Sequence, residues 1–322
     1  MPTKLNYLKK LDTPCLLIDL DKLKENLNLM QHLADQMGVF VRPHCKTHKC
    51  SQLAKLQIDA GAIGISAAKF SEAEVLIEQG IRSILITSPV VSEPKLRKLA
   101  RCLEKAPELL LVLDNVQNAE ALNQLGQALN QPINVLIDLD PGIGRTGVSP
   151  DKAMQFGHFL QTQSWLHVQG VQCYAGSLQH VADYQERKTL SLKTMEMASN
   201  VFRSLKSLFP GLHILTGSGT GTFDIDPEAS EVTEIQPGSY SVMDVQYEQI
   251  GSKEDPQHFN QFQNAMTLLC TVISSNRTEH VTVDAGTKAI YFDPSINQGL
   301  LAIRIYLMIG VVLAMSMEKS RG

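Results

Sequence analysis

The segment Arg42-Pro43-His44-Cys45-Lys46-Thr47-His48-Lys49 gathers five basic side chains into eight positions. It follows a β-rich run, Val39–Arg42, and period-two alternation turns Arg42, His44, Lys46 and His48 toward one side. Crowded cations favour the neutral form of an amine, and the neutral amine is the nucleophile that condenses with a carbonyl carbon. Lys46 and Lys49 both meet this description, with Arg42 and His44 as the neighbours that lower their basicity. A solvated basic loop is the plain alternative.

A second string, Thr216-Gly217-Ser218-Gly219-Thr220-Gly221-Thr222, alternates glycine with hydroxyl side chains. Such a backbone turns tightly and aims its N–H groups at one point, as a phosphate requires. Gln236-Pro237-Gly238-Ser239-Tyr240 follows shortly after and is placed to complete the cradle with backbone donors and the Tyr240 hydroxyl. A flexible polar turn and a core tyrosine are the competing readings. In Asp138-Leu139-Asp140-Pro141-Gly142-Ile143-Gly144-Arg145 the glycines let Arg145 fold back, where its guanidinium suits a phenolate or carboxylate. Pairing of Asp138 or Asp140 with a structural arginine is the alternative there. Tyr174 suits a site wall or a proton donor, and His180 is either an acid-base group or a surface histidine.

These strings stand at the ends of β-rich runs that alternate with amphipathic segments. We read eight strands: Val39–Arg42, Ala62–Ala67, Ser83–Thr87, Leu109–Asp114, Ile133–Asp140, Val168–Tyr174, His213–Thr216 and Glu234–Tyr240. Helices are expected at Asp21–Gln36, Ser51–Ala60, Ser71–Gln79, Glu93–Glu104, Val116–Leu129, Asp151–Thr162 and Asp183–Leu208. This beat predicts βαβ units closing into a (β/α)8 barrel, whose active site lies at the C-terminal ends of the strands. An open doubly wound sheet is the alternative, but it would carry its Gly-rich turn after the first strand. Beyond residue 251 the strands Ala265–Ser275 and Val281–Ala285 lack long helices between them. The expected division is therefore a barrel over 12–250 and a smaller β domain over 251–322.

Among 322 residues, 43% are hydrophobic and 19% charged, in the range of globular chains. The formal charge is −4 without blocks of like sign, which gives no footing for nucleic acid. Six cysteines form no CxxC pair, and the N-terminus has no apolar signal core, so a cytoplasmic protein with reduced thiols is expected. The run 300–315 is apolar except for Arg304. It is shorter than the roughly 20 residues a spanning helix needs, so a membrane anchor is not expected.

Together, TPCLLIDLDKLKENL, RPHCKTHK, GAIGISAAKFSEAEVL, IDLDPGIGRTGV, YAGSLQH, TGSGTGTF, EIQPGSYSVMD and VDAGTKAI resemble the D-threonine aldolase and D-serine dehydratase family. That family belongs to the alanine-racemase-like, fold-type-III pyridoxal-phosphate enzymes. The resemblance implies pyridoxal 5′-phosphate as cofactor and Lys46, rather than Lys49, as the Schiff-base lysine. It implies Arg145 beside the cofactor's phenolic oxygen and Tyr174 lining the cofactor. It further implies Gly219, Thr220, Gly221, Ser239 and Tyr240 around the phosphate; the reading of the strings themselves adds Ser218, Gln236 and Gly238 to that cradle and His44 to the catalytic group. The implied substrate is a small D-amino acid, the implied activity D-threonine cleavage to glycine and acetaldehyde, and the implied assembly a homodimer. D-serine dehydration is the alternative, as is a catalytically impaired pyridoxal-phosphate binder; a phosphate-sugar barrel enzyme without the cofactor stands outside the family. The family also binds a divalent metal, Mn or Zn, through a late histidine followed two residues on by cysteine or aspartate. This chain has no histidine after His280 and no cysteine after Cys270, which leads us to expect a truncated or altered C-terminus and no family metal ligands.

Overall fold

The computed structural model describes residues 7–286, 288–289, 306–308 and 311–315. The chain divides into two compact units. The larger comprises Leu27–Tyr240 and Ile250–His258; the smaller comprises Met1–Asn26, Ser241–Gln249 and Phe259–Gly322.

In chain order the elements are β1 (Cys15–Ile18), α1 (Leu20–Met37), β2 (Phe40–Val41), α2 (Ser51–Asp59), β3 (Ile65–Ala67), α3 (Phe70–Glu78), β4 (Ile84–Ile86) and α4 (Glu93–Lys105). They continue with β5 (Leu110–Leu113), α5 (Val116–Leu129), β6 (Ile133–Leu139), α6 (Ala153–Gln161), β7 (Leu166–Cys173), α7 (Tyr184–Leu205), β8 (Ile214–Gly217) and β9 (Glu234–Ile235). After α8 (Val245–Glu248) come β10 (Met266–Cys270), β11 (Val272–Ser274), β12 (Thr282–Val283), β13 (Tyr306–Met308) and β14 (Val311–Met315).

Strands β2 to β9 form one parallel sheet in the order β2-β9-β8-β7-β6-β5-β4-β3. Its two ends meet: Ile63 N–H donates to Val41 O at 3.0 Å and Ser66 N–H to Pro43 O at 2.9 Å. The expected barrel is thus the observed architecture. Its strands are short apolar runs because both faces are covered. Leu85, Leu110, Val112, Leu136 and Ile214 make one cluster. Their alternates, such as Ile84, Ile86, Leu111, Leu113 and Ile137, pack with Leu99, Leu122, Leu160 and Phe202 from α4 to α7 in the larger core. Alternation along each strand therefore divides barrel interior from helix layer. Helix starts are set by side-chain caps, Asn115 Oδ1 accepting from Asn118 N and Asp183 Oδ1 from Glu186 N.

Among the expected boundaries that shift, two have a clear local cause. The last barrel strand ends at Ile235 instead of Tyr240, because Pro237 has no N–H for the ladder and the chain turns at Ser239–Ser241. The helix expected from Asp151 begins at Ala153, after a tight turn at Pro150–Lys152.

In the smaller unit, β1 pairs antiparallel with β10 from Cys15↔Leu269 to Ile18↔Met266, and β14 and β13 extend that sheet. A two-stranded sheet of β11 and β12 stands beside it in sequence. Thr13 Oγ1 donates to Asp284 Oδ2 at 2.5 Å, and Thr271 N–H to Asp284 Oδ1 at 2.9 Å. The VDAGTKAI string thus supplies a structural carboxylate, while its Thr287 and Ile290 lie outside the described residues. Of the apolar run 300–315, only β13 and β14 are described. Among the described residues no helix is long and apolar enough to cross a membrane.

Candidate active site

At the C-terminal ends of the barrel strands lies a cavity of about 260 Å³. The residues after β2 bring His44 and Lys46 to it. Cys45–Thr47 forms one tight turn, and His44 caps it, its Nδ1 accepting from Lys46 N–H at 3.3 Å. The other ring nitrogen, Nε2, lies 3.1 Å from Thr87 Oγ1. One nitrogen accepting and the other donating is the pattern of neutral imidazole. Burial, then the charges of Lys46, His48 and Arg145, push the His44 pKa down to about 3. In this state His44 holds the Lys46 turn and is not an imidazolium acid.

Lys46 is open to solvent along part of its length, yet its Nζ lies 4.9 Å from the Tyr174 ring centroid. Burial of the amine, followed by the nearby Arg145 charge, lowers its pKa; Glu72 acts in the opposite sense. Lys49 adopts φ +48° and lies 3.9 Å from Glu72 Oε1 with its side chain 60% exposed. The geometry thus separates two lysines that residue type alone left equivalent. The expected one-sided row also breaks up. Arg42 is buried in a two-pronged ion pair with Glu234, at 2.9 and 2.8 Å. His48 lies 3.2 Å from Gln57 Oε1 and accepts from Cys50 N–H at 3.1 Å. Alternation ends where the strand gives way to the Cys45–Thr47 turn.

Arg145 borders the cavity from the loop after β6, with Cζ 5.8 Å from the same Tyr174 ring. Asp140 shapes that loop, its Oδ1 accepting from the N–H groups of Gly142, Ile143 and Gly144. Gly147 is required at φ +107°, where a Cβ would fall 2.4 Å from Asp140 N. Asp138 receives Thr146 Oγ1 and Gln172 Nε2, each at 2.8 Å. Burial is the leading cause that pushes its pKa up to about 6. Tyr174 is half-buried, and burial raises its pKa, so its hydroxyl is a donor at neutral pH.

The Gly-rich loop after β8 is wholly buried. Ser218 and Thr222 place their hydroxyl oxygens 3.2 Å apart, and Thr222 Oγ1 donates to Asp226 Oδ2 at 2.7 Å. These hydroxyls are therefore engaged within the fold. Gln179 supports the loop, accepting from Gly221 N–H and donating to Thr222 Oγ1, both at 3.0 Å. Tyr240 N–H donates to Thr220 Oγ1 at 3.1 Å, joining the loops after β8 and β9. Gly238 lies against the lysine turn, since a Cβ there would sit 2.6 Å from Thr47 Oγ1. Gln236 borders the cavity and donates to Thr216 Oγ1 at 3.0 Å. The Tyr240 hydroxyl is buried 3.4 Å from Gln57 Nε2. Of the residues assigned to the phosphate, Gln236 lines the cavity; Ser218–Gly221 and Gly238–Tyr240 form its neighbouring loops, with Ser239 half-buried.

Residues not singled out from the sequence also line the cavity: Ala68, Thr87, Ser88, Thr146 and Gln172. Gln172 was accessible to reasoning, because it lies two positions before Tyr174 in the expected strand Val168–Tyr174 and so shares its side; the observed strand ends one residue earlier, at Cys173. Thr87 and Ser88 follow β4 directly, at the end of the barrel where function is expected. His180 is exposed and does not line the cavity. Among the described residues no group of three or more His, Cys, Asp or Glu side chains could hold a metal ion.

Comparison with known proteins bears on this arrangement. Residues 18–245 match the family described as alanine racemase, N-terminal domain, and residues 265–316 match the putative serine dehydratase domain. The chain is 35% identical over 286 residues to the D-threonine aldolase of Arthrobacter sp, covering 88% of this chain and 73% of that protein. It is 30% identical over 294 residues to the 3-hydroxy-D-aspartate aldolase of Paracoccus denitrificans (strain Pd 1222), covering 90% and 75%. The crystal structure of D-threonine aldolase from Filomicrobium marinum superposes with a TM-score of 0.82 at 34% identity, covering 88% of this chain and 75% of that one.

Proposed function

The chain belongs to the alanine racemase N-terminal-domain family, and on that premise we propose that it is a pyridoxal-phosphate-dependent lyase of D-β-hydroxy amino acids, cleaving D-threonine to glycine and acetaldehyde. The observation that carries this reading is Lys46: an amine of lowered basicity, beside Arg145 and over Tyr174, at the mouth of a closed barrel. The two aldolases of similar sequence support the choice of reaction.

The residues present suit the cofactor. Gln172 Oε1 is a buried acceptor with no partner among the described residues, on a cavity that Lys46 also lines. Such an atom calls for a bound donor. Lys46 would hold the aldehyde carbon, Arg145 an anionic ring oxygen and Tyr174 one face. The backbone of Ser218–Gly221 and of Gly238–Tyr240 would hold the phosphate. When bound, pyridoxal phosphate draws electrons from the bonds at the substrate Cα. The protein's part is to orient and to move protons. Neutral His44 and Thr87 fix the turn from which Lys46 projects. Lys46 Nζ, lowered in pKa by burial and the nearby Arg145 charge, is the group able to accept and return a proton. The Tyr174 hydroxyl donates without ionising. Arg145 orients an anionic group with its planar guanidinium.

A second reading, dehydration of D-serine to pyruvate and ammonia, is favoured by the match of residues 265–316 to the putative serine dehydratase domain. Product analysis decides. The purified chain is loaded with pyridoxal phosphate and incubated with D-threonine or D-serine, with and without added Mn²⁺. Acetaldehyde and glycine support the aldolase; pyruvate and ammonia support the dehydratase. Cofactor binding without either set of products overturns both.

A further inference from the structure

Gln172 lies on β7 with 2% of its surface exposed, and it borders the cavity. A side-chain amide presents N–H donors at one end and an acceptor at the other, and its surroundings decide which way round it stands. Here two acceptors flank one end. Nε2 donates to Asp138 Oδ1 at 2.8 Å and to Thr87 O at 3.2 Å. Reversing the amide would set its oxygen against a carboxylate and a carbonyl. Asp138 is itself held by Thr146 at 2.8 Å, so the arrangement is braced. The opposite end, Oε1, is buried and has no partner among the described residues. A buried acceptor left without a donor is costly, and such atoms usually mark a missing ligand or water.

We propose that Gln172 is a binding residue whose Oε1 accepts a hydrogen bond from an N–H or O–H group of the molecule held in the cavity. Asp138 and Thr87 fix the direction of that acceptor. The proposal rests on the reading of the occupant as pyridoxal phosphate with a D-hydroxy amino acid, either of which carries suitable donors. It makes the floor of the cavity selective for a donor: an occupant offering a second acceptor at this point would face repulsion.

The test uses the full chain and the substitution Gln172→Met, which keeps length and flexibility but removes the acceptor. Pyridoxal phosphate is titrated by visible absorbance, and D-threonine is then titrated into the loaded protein. Folding is checked by circular dichroism and thermal unfolding. A loss of cofactor affinity of threefold or more assigns the donor to the cofactor. Unchanged cofactor affinity with a threefold or greater loss for D-threonine assigns it to the substrate. A folded Gln172→Met protein that binds both within threefold of wild type overturns the proposal. Should that variant not fold, Gln172→Leu, which also lacks the acceptor and sets no new charge beside Asp138, is read by the same threefold criteria. Failure of the wild-type chain to take up pyridoxal phosphate overturns the functional reading and this inference together, which separates that outcome from a failure of Gln172 alone.

Discussion

His44 makes the protein sensitive to acid in a way that can be isolated. Its imidazole is 6% exposed and already uses both nitrogens, accepting from Lys46 N–H and contacting Thr87. Its pKa stands at about 3 against 6.5 for the free side chain, chiefly because burial disfavours the charged form. A histidine with a depressed folded-state pKa stabilises the fold above pH 6.5 and loses that contribution as pH falls toward 3. Between pH 8 and pH 5 the unfolded chain takes up this proton and the folded chain does not. The resulting loss is about 2 kcal/mol. Asp138 and Asp226 work in the other direction. Both are raised to about 6, mainly by burial, so they favour the fold at low pH and lose that effect as pH rises through 6. Wild-type stability alone would blend these opposing terms. The informative comparison is His44→Asn, whose carboxamide oxygen can still accept from Lys46 N–H but does not titrate. Urea unfolding of both proteins at pH 5 and pH 8, without added cofactor, gives the difference of differences. The variant should lose about 2 kcal/mol less than wild type on acidification. Equal losses in the two proteins would show that His44 is not held neutral by the fold and would refute the reasoning.

Other expectations concern the lysine, a glycine and the barrel seam. After loading with pyridoxal phosphate and borohydride reduction, peptide mapping should find the label on Lys46; Lys46→Ala should abolish it, and Lys49→Ala should keep it, since Lys49 faces Glu72 outside the cavity lining. Gly238→Ala should weaken cofactor binding tenfold or more in an absorbance titration, because its Cβ would fall 2.6 Å from Thr47 Oγ1 in the turn that carries Lys46; unchanged affinity would remove that loop from the site. Glu234→Ala strands the buried Arg42 charge and should cost about 3–5 kcal/mol in urea unfolding; a cost under about 1 kcal/mol would show that water reaches the guanidinium.

Much of the barrel was legible along the chain. Runs such as Leu110–Leu113 are apolar throughout because both faces of a parallel strand are covered, and their spacing by amphipathic helices admits few topologies. The chemical strings were legible too, since a strand end followed by glycines or cations is a local pattern. Direction was not. Arg42 was expected beside Lys46, but its partner Glu234 is 192 residues away in sequence, and only closure of the sheet brings them together. The Gly-rich string did not reveal where its hydroxyls point: a buried Asp226 four residues beyond Thr222 engages Thr222, and through it Ser218.

The sequence by itself determined the alternation of elements, the strand ends at which chemistry is concentrated and the family to which those strings point, because each depends on neighbours within a few turns of chain. Tertiary structure gave the physical ground for Lys46 over Lys49, which the resemblance had only implied, and it alone decided that His44 is neutral and that Gln172 presents an acceptor with no partner among the described residues. Burial, charge neighbours and amide orientation are properties of surfaces brought together from distant segments, and no local pattern encodes them.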